Sequence, residues 1–179
     1  VASDAATWSA IYTAAMSSLA VENTSRYRVA CQRMLATFHE SEDISACHFT
    51  AWTCALGPEA VEDFVPAIAA GRKAVAQQPE NQQYLNGLGG VLLRAGDFDE
   101  ARTVLLQALQ TRSSETTSLA YTHYFLAMAA HHLGDREDTR KHLEQAKAIT
   151  DTELASAQSW NRKLTLKILQ KEAEELLTQ

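Results

Sequence analysis

The sequence predicts an all-α protein, folded as a right-handed α-α superhelix of about four helical hairpins with a C-terminal capping helix. Its 179 residues include only 7 glycines and 3 prolines, so few residues interrupt helices. Apolar side chains recur at helical spacing along most of the chain. One helix-turn-helix pattern also occurs three times, which is typical of a stack of repeated units.

The clearest hairpin pattern spans residues 82–112. A turn at Gly96-Asp97 separates two helical stripes, and Asp97 and Asp99 place negative charge at the start of the second helix. Small residues in both stripes let antiparallel helices approach closely, while leucines fill the seam between them. The residues of the two stripes are Leu85, Leu88, Gly89, Leu92, Ala101, Leu105 and Ala108.

The same pattern recurs before and after this hairpin. Ala101 corresponds to Ala67 at an offset of 34 residues, and Gly96 corresponds to Gly134 at an offset of 38 residues. Small positions stay small and apolar positions stay apolar under both shifts, which chance agreement does not explain. The predicted repeats are 45–79, 82–112 and 118–149.

Both ends of the chain differ from the repeats. Residues 1–40 contain two amphipathic stripes with little repeat consensus, so we expect a degenerate first hairpin that covers one end of the stack. Residues 157–178 contain one long stripe that begins near Trp160, and we expect it to cap the last hairpin. The chain is then a single repeat domain, 1–179, with an ordinary closed helical bundle as the structural alternative.

Composition argues against two classes of partner. A formal net charge of −6 does not favour a phosphate backbone, so we expect no nucleic acid. The uncharged run 5–21 is interrupted by polar residues and lacks a basic leader, so we expect a soluble helix and no membrane contact.

The three cysteines, Cys31, Cys47 and Cys54, fit a reduced cytoplasmic setting. Because no methionine stands at Val1, we expect a piece or a processed product of a longer protein.

Over residues 45–149 the sequence resembles the tetratricopeptide repeat (TPR) family. A closer likeness is to the TPR-like helical module at the C-terminal end of large bacterial serine/threonine protein kinases and WD-repeat proteins. That resemblance implies a noncatalytic protein-interaction or scaffolding module, attached to a protein that could itself be a kinase. The chain contains no kinase signature of its own. The phrases that carry the likeness are Tyr27-Arg-Val-Ala-Cys31, Ala51-Trp52-Thr-Cys54-Ala-Leu56-Gly-Pro58, Pro79-Glu-Asn81, Phe125-Leu-Ala-Met128-Ala and Trp160-Asn-Arg162.

The resemblance also implies a ligand groove. In such stacks the first helix of each hairpin lines a concave face, where aromatic and polar side chains suit a peptide or a domain of a partner protein. An equally weighted alternative is that the large side chains among them only pack between hairpins. The expected groove contains too few Lys, Arg and Asn side chains to clamp the terminal carboxylate of a peptide, so we do not predict specificity for a peptide C-terminus. The expected groove residues are Phe49, Trp52, Leu56, Gln83, Asn86, Gly90, Arg94, Tyr121, Tyr124, Met128 and His131.

Two other functions remain open. One is an α-helical enzyme or metal-binding domain that uses histidines and cysteines, although their spacing matches no zinc site, and we predict no catalytic residue, metal or cofactor. The other is a purely architectural or self-associating domain, in which a neighbouring domain or a second copy fills the groove. Oligomeric state is not predicted. The histidines and cysteines considered are Cys47, His48, Cys54, His123, His131, His132 and His142.

Overall fold

Helices separated by short turns make up nearly all of the chain. In a computed structural model that describes residues 2–111, 117–156 and 159–177, with side chains from Thr7 to Leu176, there are nine α-helices and no strand. They are α1 (Ala2–Ala20), α2 (Thr24–Phe38), α3 (Ile44–Ala55), α4 (Val65–Gln77), α5 (Gln82–Ala95), α6 (Phe98–Gln110), α7 (Leu119–His132), α8 (Arg136–Ala155) and α9 (Trp160–Leu177).

Side-chain caps begin several of these helices. Asn81 Oδ1 accepts hydrogen bonds from the backbone N–H groups of Gln83 and Tyr84 at 3.0 and 3.3 Å. Asp43 caps α3 and Ser118 caps α7 in the same way. Such caps satisfy backbone donors that have no partner inside the helix, so they locate helix starts from local sequence.

Two glycines end the first helices of the last two hairpins. Gly96 adopts a φ of +87° and Gly134 a φ of +76°, in the left-handed region that favours glycine. At the first of these turns, Asp97 N donates to Leu92 O at 3.0 Å, which closes the end of α5. Each reversal lets the next helix return antiparallel to the one before it.

Neighbouring helices pair as hairpins, and the hairpins stack in chain order. The pairs are α1 with α2, α3 with α4, α5 with α6, and α7 with α8, while α3, α5, α7 and α9 each contact both helices of the preceding pair. Gly89 marks a close approach, because a Cβ there would lie 2.5 Å from Leu105 Cγ on the partner helix. The missing side chain therefore sets the spacing between α5 and α6.

Two helix boundaries differ from the sequence expectation. The second helix of the last repeat was expected to end at 149, but α8 continues to Ala155 because Leu154 still packs on the core and Thr152 Oγ1 bonds back to Ala148 O. The preceding polar residues therefore do not break the helix. In the second hairpin, the sequence predicts a helix that starts at Val61 or Asp63, but α4 begins at Val65, where Pro66 occupies the first turn.

Some predicted ranges extend beyond the part of the chain that the structure describes. Arg112, at the end of the repeat 82–112, lies outside the described residues, as do 157–158 and 178 of the expected capping helix. Among the helices that are described, none is both long enough and apolar enough to cross a membrane.

Candidate functional site

The first helices of the hairpins face one common side of the stack. Successive first helices contact each other from α1 to α3, α5 and α7, and α9 continues the row. The last helix also contacts α1, and its Glu172 pairs with Arg94 of α5, so α9 lies across this side of the stack. The concave side, where the resemblance implied a ligand groove, is therefore partly covered by α9.

A cavity lies on the concave side beside the start of α9, and we call it the concave cavity. Its volume is about 90 Å³. It brings together five of the eleven residues expected in the groove, from three different helices: Phe49, Trp52, Gln83, Asn86 and Tyr121. The other residues that line it are Tyr12, His48, Thr117, Ser159, Asn161, Arg162 and Thr165.

Aromatic side chains form the apolar wall of the concave cavity. Trp8 stacks on Phe49 with ring centroids 4.1 Å apart, and Trp52 lies 5.6 Å from Tyr121. Trp52 also meets Phe125 edge to face at 6.1 Å. Trp52 is only 7% exposed, so it packs between hairpins as well as lining the cavity. Contacts of this kind fix the wall rigidly in place.

Asn86 supplies a buried polar group. Its Oδ1 accepts a hydrogen bond from Thr122 Oγ1 at 2.7 Å, but its Nδ2 has no partner, and the residue is 1% exposed. An unsatisfied buried donor costs free energy comparable to a lost hydrogen bond. A ligand atom that accepts from Asn86 Nδ2 would recover that free energy.

His48 adds a neutral ring to the same cavity. Burial lowers the pKa of His48 to about 3, so the imidazole carries no charge near neutral pH. Its Nδ1 has no hydrogen-bond partner and lies against α5, where a Cβ on Gly87 would be 3.1 Å away. The ring also packs 5.0 Å from Tyr84. These contacts favour a packing role for His48 over a catalytic one.

The first and last helices complete the lining. Burial raises the pKa of Tyr12, while hydrogen bonds with the side chains of Trp52, Asn161 and Thr165 lower it. Burial likewise raises the pKa of Tyr121. Both phenols therefore stay protonated near neutral pH and can donate hydrogen bonds.

Contact with α9 also fixes Tyr121 itself. Its phenol donates to the backbone carbonyl of Arg162 at 3.4 Å. The Arg162 guanidinium in turn lies 3.9 Å from the Glu153 carboxylate of α8. The last helix is thus hydrogen-bonded to the concave face at the cavity.

Arg94 occupies a different place from the one expected. Its guanidinium pairs with the Glu172 carboxylate of α9, and its Nε donates to Ala55 O at 2.9 Å. With Met128, both members of this pair line a separate pocket of about 520 Å³ at the other end of α9. The arginine expected to contact a ligand instead holds the protein's own last helix.

The remaining expected groove residues do not reach the concave cavity. Leu56 and Tyr124 are fully buried, and Tyr124 Oη lies 3.0 Å from Thr150 Oγ1. Gly90 is buried too, and a Cβ there would lie 2.8 Å from the Cβ of Ala55. His131 is exposed to solvent and does not line the cavity.

Histidines and cysteines form no metal site in the described part of the chain. His123 Nδ1 and His142 Nδ1 lie 3.0 Å apart, but no group of three or more potential ligands surrounds them. The three thiols are free and buried, and Cys47 Sγ donates to Ser41 O at 3.1 Å. Neither the histidine pair nor the three thiols have the arrangement of a nucleophile beside a base.

The repeat pattern missed the lining residues of α1 and α9. Tyr12, Asn161, Arg162 and Thr165 lie outside the repeats, so no offset of 34 or 38 reaches them. The Trp160-Asn-Arg162 phrase already marked the start of α9 as distinctive. Only the folded chain shows that this start returns to the first hairpin.

Comparisons with known proteins agree with the geometry. The tetratricopeptide repeat family model matches residues 80–152. A solved structure of a thermophilic TPR protein from Thermus thermophilus is similar, with 16% sequence identity and a TM-score of 0.54, over 96% of this chain and 100% of that one. None of the curated proteins matches significantly. The predicted fold class, an all-helical superhelix of TPR-like hairpins, is confirmed.

Proposed function

We propose that this chain is a noncatalytic protein-interaction and scaffolding module of a larger multidomain protein, and that a peptide or domain of a partner binds at its concave face. The convergence of Phe49, Trp52, Gln83, Asn86 and Tyr121 on one cavity carries the proposal. These five come from α3, α5 and α7, at positions that the family resemblance implied and the repeat offsets located. The TPR fold is generally one that mediates protein-protein interaction.

The size of the concave cavity defines what can enter it. A volume of about 90 Å³ has room for the end of one side chain, not for a folded segment. Aromatic walls and the free Asn86 Nδ2 suit a side chain with a flat or apolar body and a hydrogen-bond acceptor at its tip. The partner is thus anchored by one residue, while its neighbours rest on the rim near Phe49 and Gln83.

The last helix limits how far a partner extends. Because α9 is hydrogen-bonded to Tyr121 at one end and paired with Arg94 at the other, it covers the concave side between them. A partner segment therefore binds beside the start of α9 and does not lie along the whole face. A longer ligand has to displace the helix first.

The wider setting rests on the sequence resemblance. The likeness to helical modules of bacterial serine/threonine kinases and WD-repeat proteins supports a cytoplasmic, bacterial, kinase-associated role. In that setting the module would recruit a protein to the enzyme it is attached to.

A random-peptide display library panned on the chain tests the proposal. Rim variants Phe49→Ala and Gln83→Ala are compared with Leu106→Ala and Gln110→Ala, which also shorten one large apolar side chain and one glutamine, at exposed positions of α6. We expect peptides enriched on the wild type to bind both rim variants at least tenfold more weakly, and both α6 variants unchanged. Rim variants are used because Trp52→Ala or Tyr124→Ala would remove buried packing.

Two results would refute a peptide site at the cavity. One is that no peptide is enriched above the starting library. The other is that enriched peptides bind Phe49→Ala as tightly as Leu106→Ala, with circular dichroism showing both variants folded.

The contact between α1 and α9 favours a second candidate, a purely architectural domain. Lys171 Nζ lies 2.5 Å from Glu22 Oε1, which adds an ion pair where the two ends of the stack meet. A stack braced in this way can serve as a rigid spacer. The architectural function predicts that no peptide is enriched on the wild type or on any of the four variants.

A further inference from the structure

A second surface lies on the first hairpin, outside the concave side. It is a groove of about 720 Å³, and the described residues that line it all belong to α1, α2 and the turn between them. We call it the first-hairpin groove. The small residues Ala10, Ala14 and Ser17 line it at spacings of four and three along α1. Small residues at this spacing allow another helix to approach closely.

Exposed valines form part of the groove. Val21 is 70% exposed and Val29 is 63% exposed, two of the five large hydrophobic residues that are exposed among the described side chains. Both line the first-hairpin groove. An apolar rim of this kind beside a groove is typical of an interaction surface.

The charges of the groove are all of one sign. Arg26 and Arg33 line it seven residues apart on α2, which places them about two turns apart on the same face. Neither forms an ion pair with a carboxylate that the structure describes, whereas Arg28, Arg72 and Arg94 each do. Among the side chains that the structure describes, no acidic residue lines the groove. In a chain of net charge −6, this is a local reversal of sign.

We propose that the first-hairpin groove binds an amphipathic helix of a partner protein, with two carboxylates about seven residues apart beside a stripe of small or apolar residues. The stripe packs on Ala10, Ala14 and the valines, and the carboxylates pair with Arg26 and Arg33. Inside the protein, such grooves are already filled by helices, as α3 fills the other side of the first hairpin. The proposal is independent of the concave cavity.

Two other occupants fit the surface less well. A second copy of this chain offers Glu137 and Glu144 seven residues apart on α8, but Arg140 and Lys141 lie on the same face, which presents no large apolar side chain. An anionic membrane is repelled by the net charge of the chain, and two arginines in a recess add little attraction.

A library of helical peptides, with the residues of one face randomised, tests the proposal on the full chain. Binders are counter-selected on a Val29→Asp/Arg33→Glu variant, which removes peptides that bind elsewhere. We expect the surviving clones to carry Asp or Glu about seven positions apart. Their affinity should fall at least tenfold in Arg26→Glu/Arg33→Glu and stay unchanged in Arg136→Glu/Arg140→Glu, a matched reversal on α8.

A charge swap makes the test sharper. Replacing the two acidic residues of a surviving peptide by lysine should abolish binding to the wild type and restore it to Arg26→Glu/Arg33→Glu. The proposal is overturned if no clone survives counter-selection, if the survivors lack acidic residues, or if the swap restores nothing.

Two further measurements identify a different occupant. Sedimentation velocity across a range of concentrations would overturn the proposal in favour of a second copy, if the wild type dimerises and Arg26→Glu/Arg33→Glu does not. Co-sedimentation with phosphatidylserine vesicles would overturn it in favour of a membrane, if binding is lost in Val29→Asp. If the wild type stays monomeric and does not co-sediment with the vesicles, the proposal of a partner helix is supported.

Discussion

Arg94 Nη2 lies 2.7 Å from Glu172 Oε2, and this pair joins α5 to α9 across the concave side. The second guanidinium nitrogen of Arg94 also donates to the same carboxylate, so the contact is bidentate. The Arg94 side chain is 6% exposed and that of Glu172 is 21% exposed. A bidentate pair shielded from water holds its geometry well, and here it fixes the position of the last helix.

Removal of one member of this pair should destabilise the protein strongly. We expect Arg94→Leu to lower the free energy of unfolding by about 3 kcal/mol, because Glu172 is left charged and largely buried. Arg102→Leu breaks pairs that are about one-third exposed and should cost less than about 1 kcal/mol. Urea unfolding followed by circular dichroism measures both.

The double variant Arg94→Leu/Glu172→Leu tests whether the unpaired Glu172 carboxylate causes this loss of stability. It leaves no buried charge, so most of the lost stability should return. A double variant as unstable as Arg94→Leu would show that the arginine matters mainly through its bond to Ala55 O.

The close approach of α5 and α6 makes a second prediction. Gly89→Ala should cost about 1–3 kcal/mol of stability, because the new Cβ would lie 2.5 Å from Leu105 Cγ and the seam must open. The cost should shrink in a Leu105→Ala background, where the methyl group has room. A double-mutant cycle by chemical denaturation measures the coupling, and additive changes would contradict the steric explanation.

Stability should fall in mild acid because of buried histidines. Burial lowers the pKa of His48 to about 3 and that of His123 to about 4, whereas unfolded histidine titrates near 6.5. The unfolded chain therefore binds more protons between these values, and stability is lost as the pH falls below about 6.5. For His48 alone, we expect the free energy of unfolding to be about 2 kcal/mol lower at pH 5 than at pH 7.

Comparison of unfolding midpoints at pH 7 and pH 5 measures this effect. His48→Leu should reduce the change between the two pH values. Equal pH dependence in the wild type and His48→Leu would rule out His48 as a source.

The hydrogen bond between Thr122 and Asn86 yields a fourth prediction. Thr122→Val removes the donor at 2.7 Å and leaves Asn86 Oδ1 buried without a partner, so it should cost about 1–3 kcal/mol. Thr122→Val/Asn86→Leu removes both polar groups and should regain much of that loss. Thermal unfolding of the two variants tests this, and equal losses in both would indicate that packing dominates.

Local chemistry made the hairpins predictable. For α5, the predicted hairpin start at 82 and turn at Gly96 coincide with the observed helix, because Asn81 caps its start and Gly96 ends it. The predicted end of the last repeat at 149 differs from the structure, since packing of Leu154 lets α8 continue to Ala155. Of the expected groove residues, Phe49 and Gln83 do line the cavity, whereas Tyr124 faces Thr150 in the core.

The sequence by itself determined where most of the helices begin and end and which of them pair, because caps, turn glycines and apolar spacing act within a few residues of each other. Only the tertiary structure decided what covers the concave side. The curvature that brings α1 to α9 accumulates from small rotations at every seam between hairpins, and each rotation depends on side-chain packing across helices. Arg94 meets Glu172, 78 residues away along the chain, because the packing of α5 on α7 and of α7 on α9 brings the two side chains together.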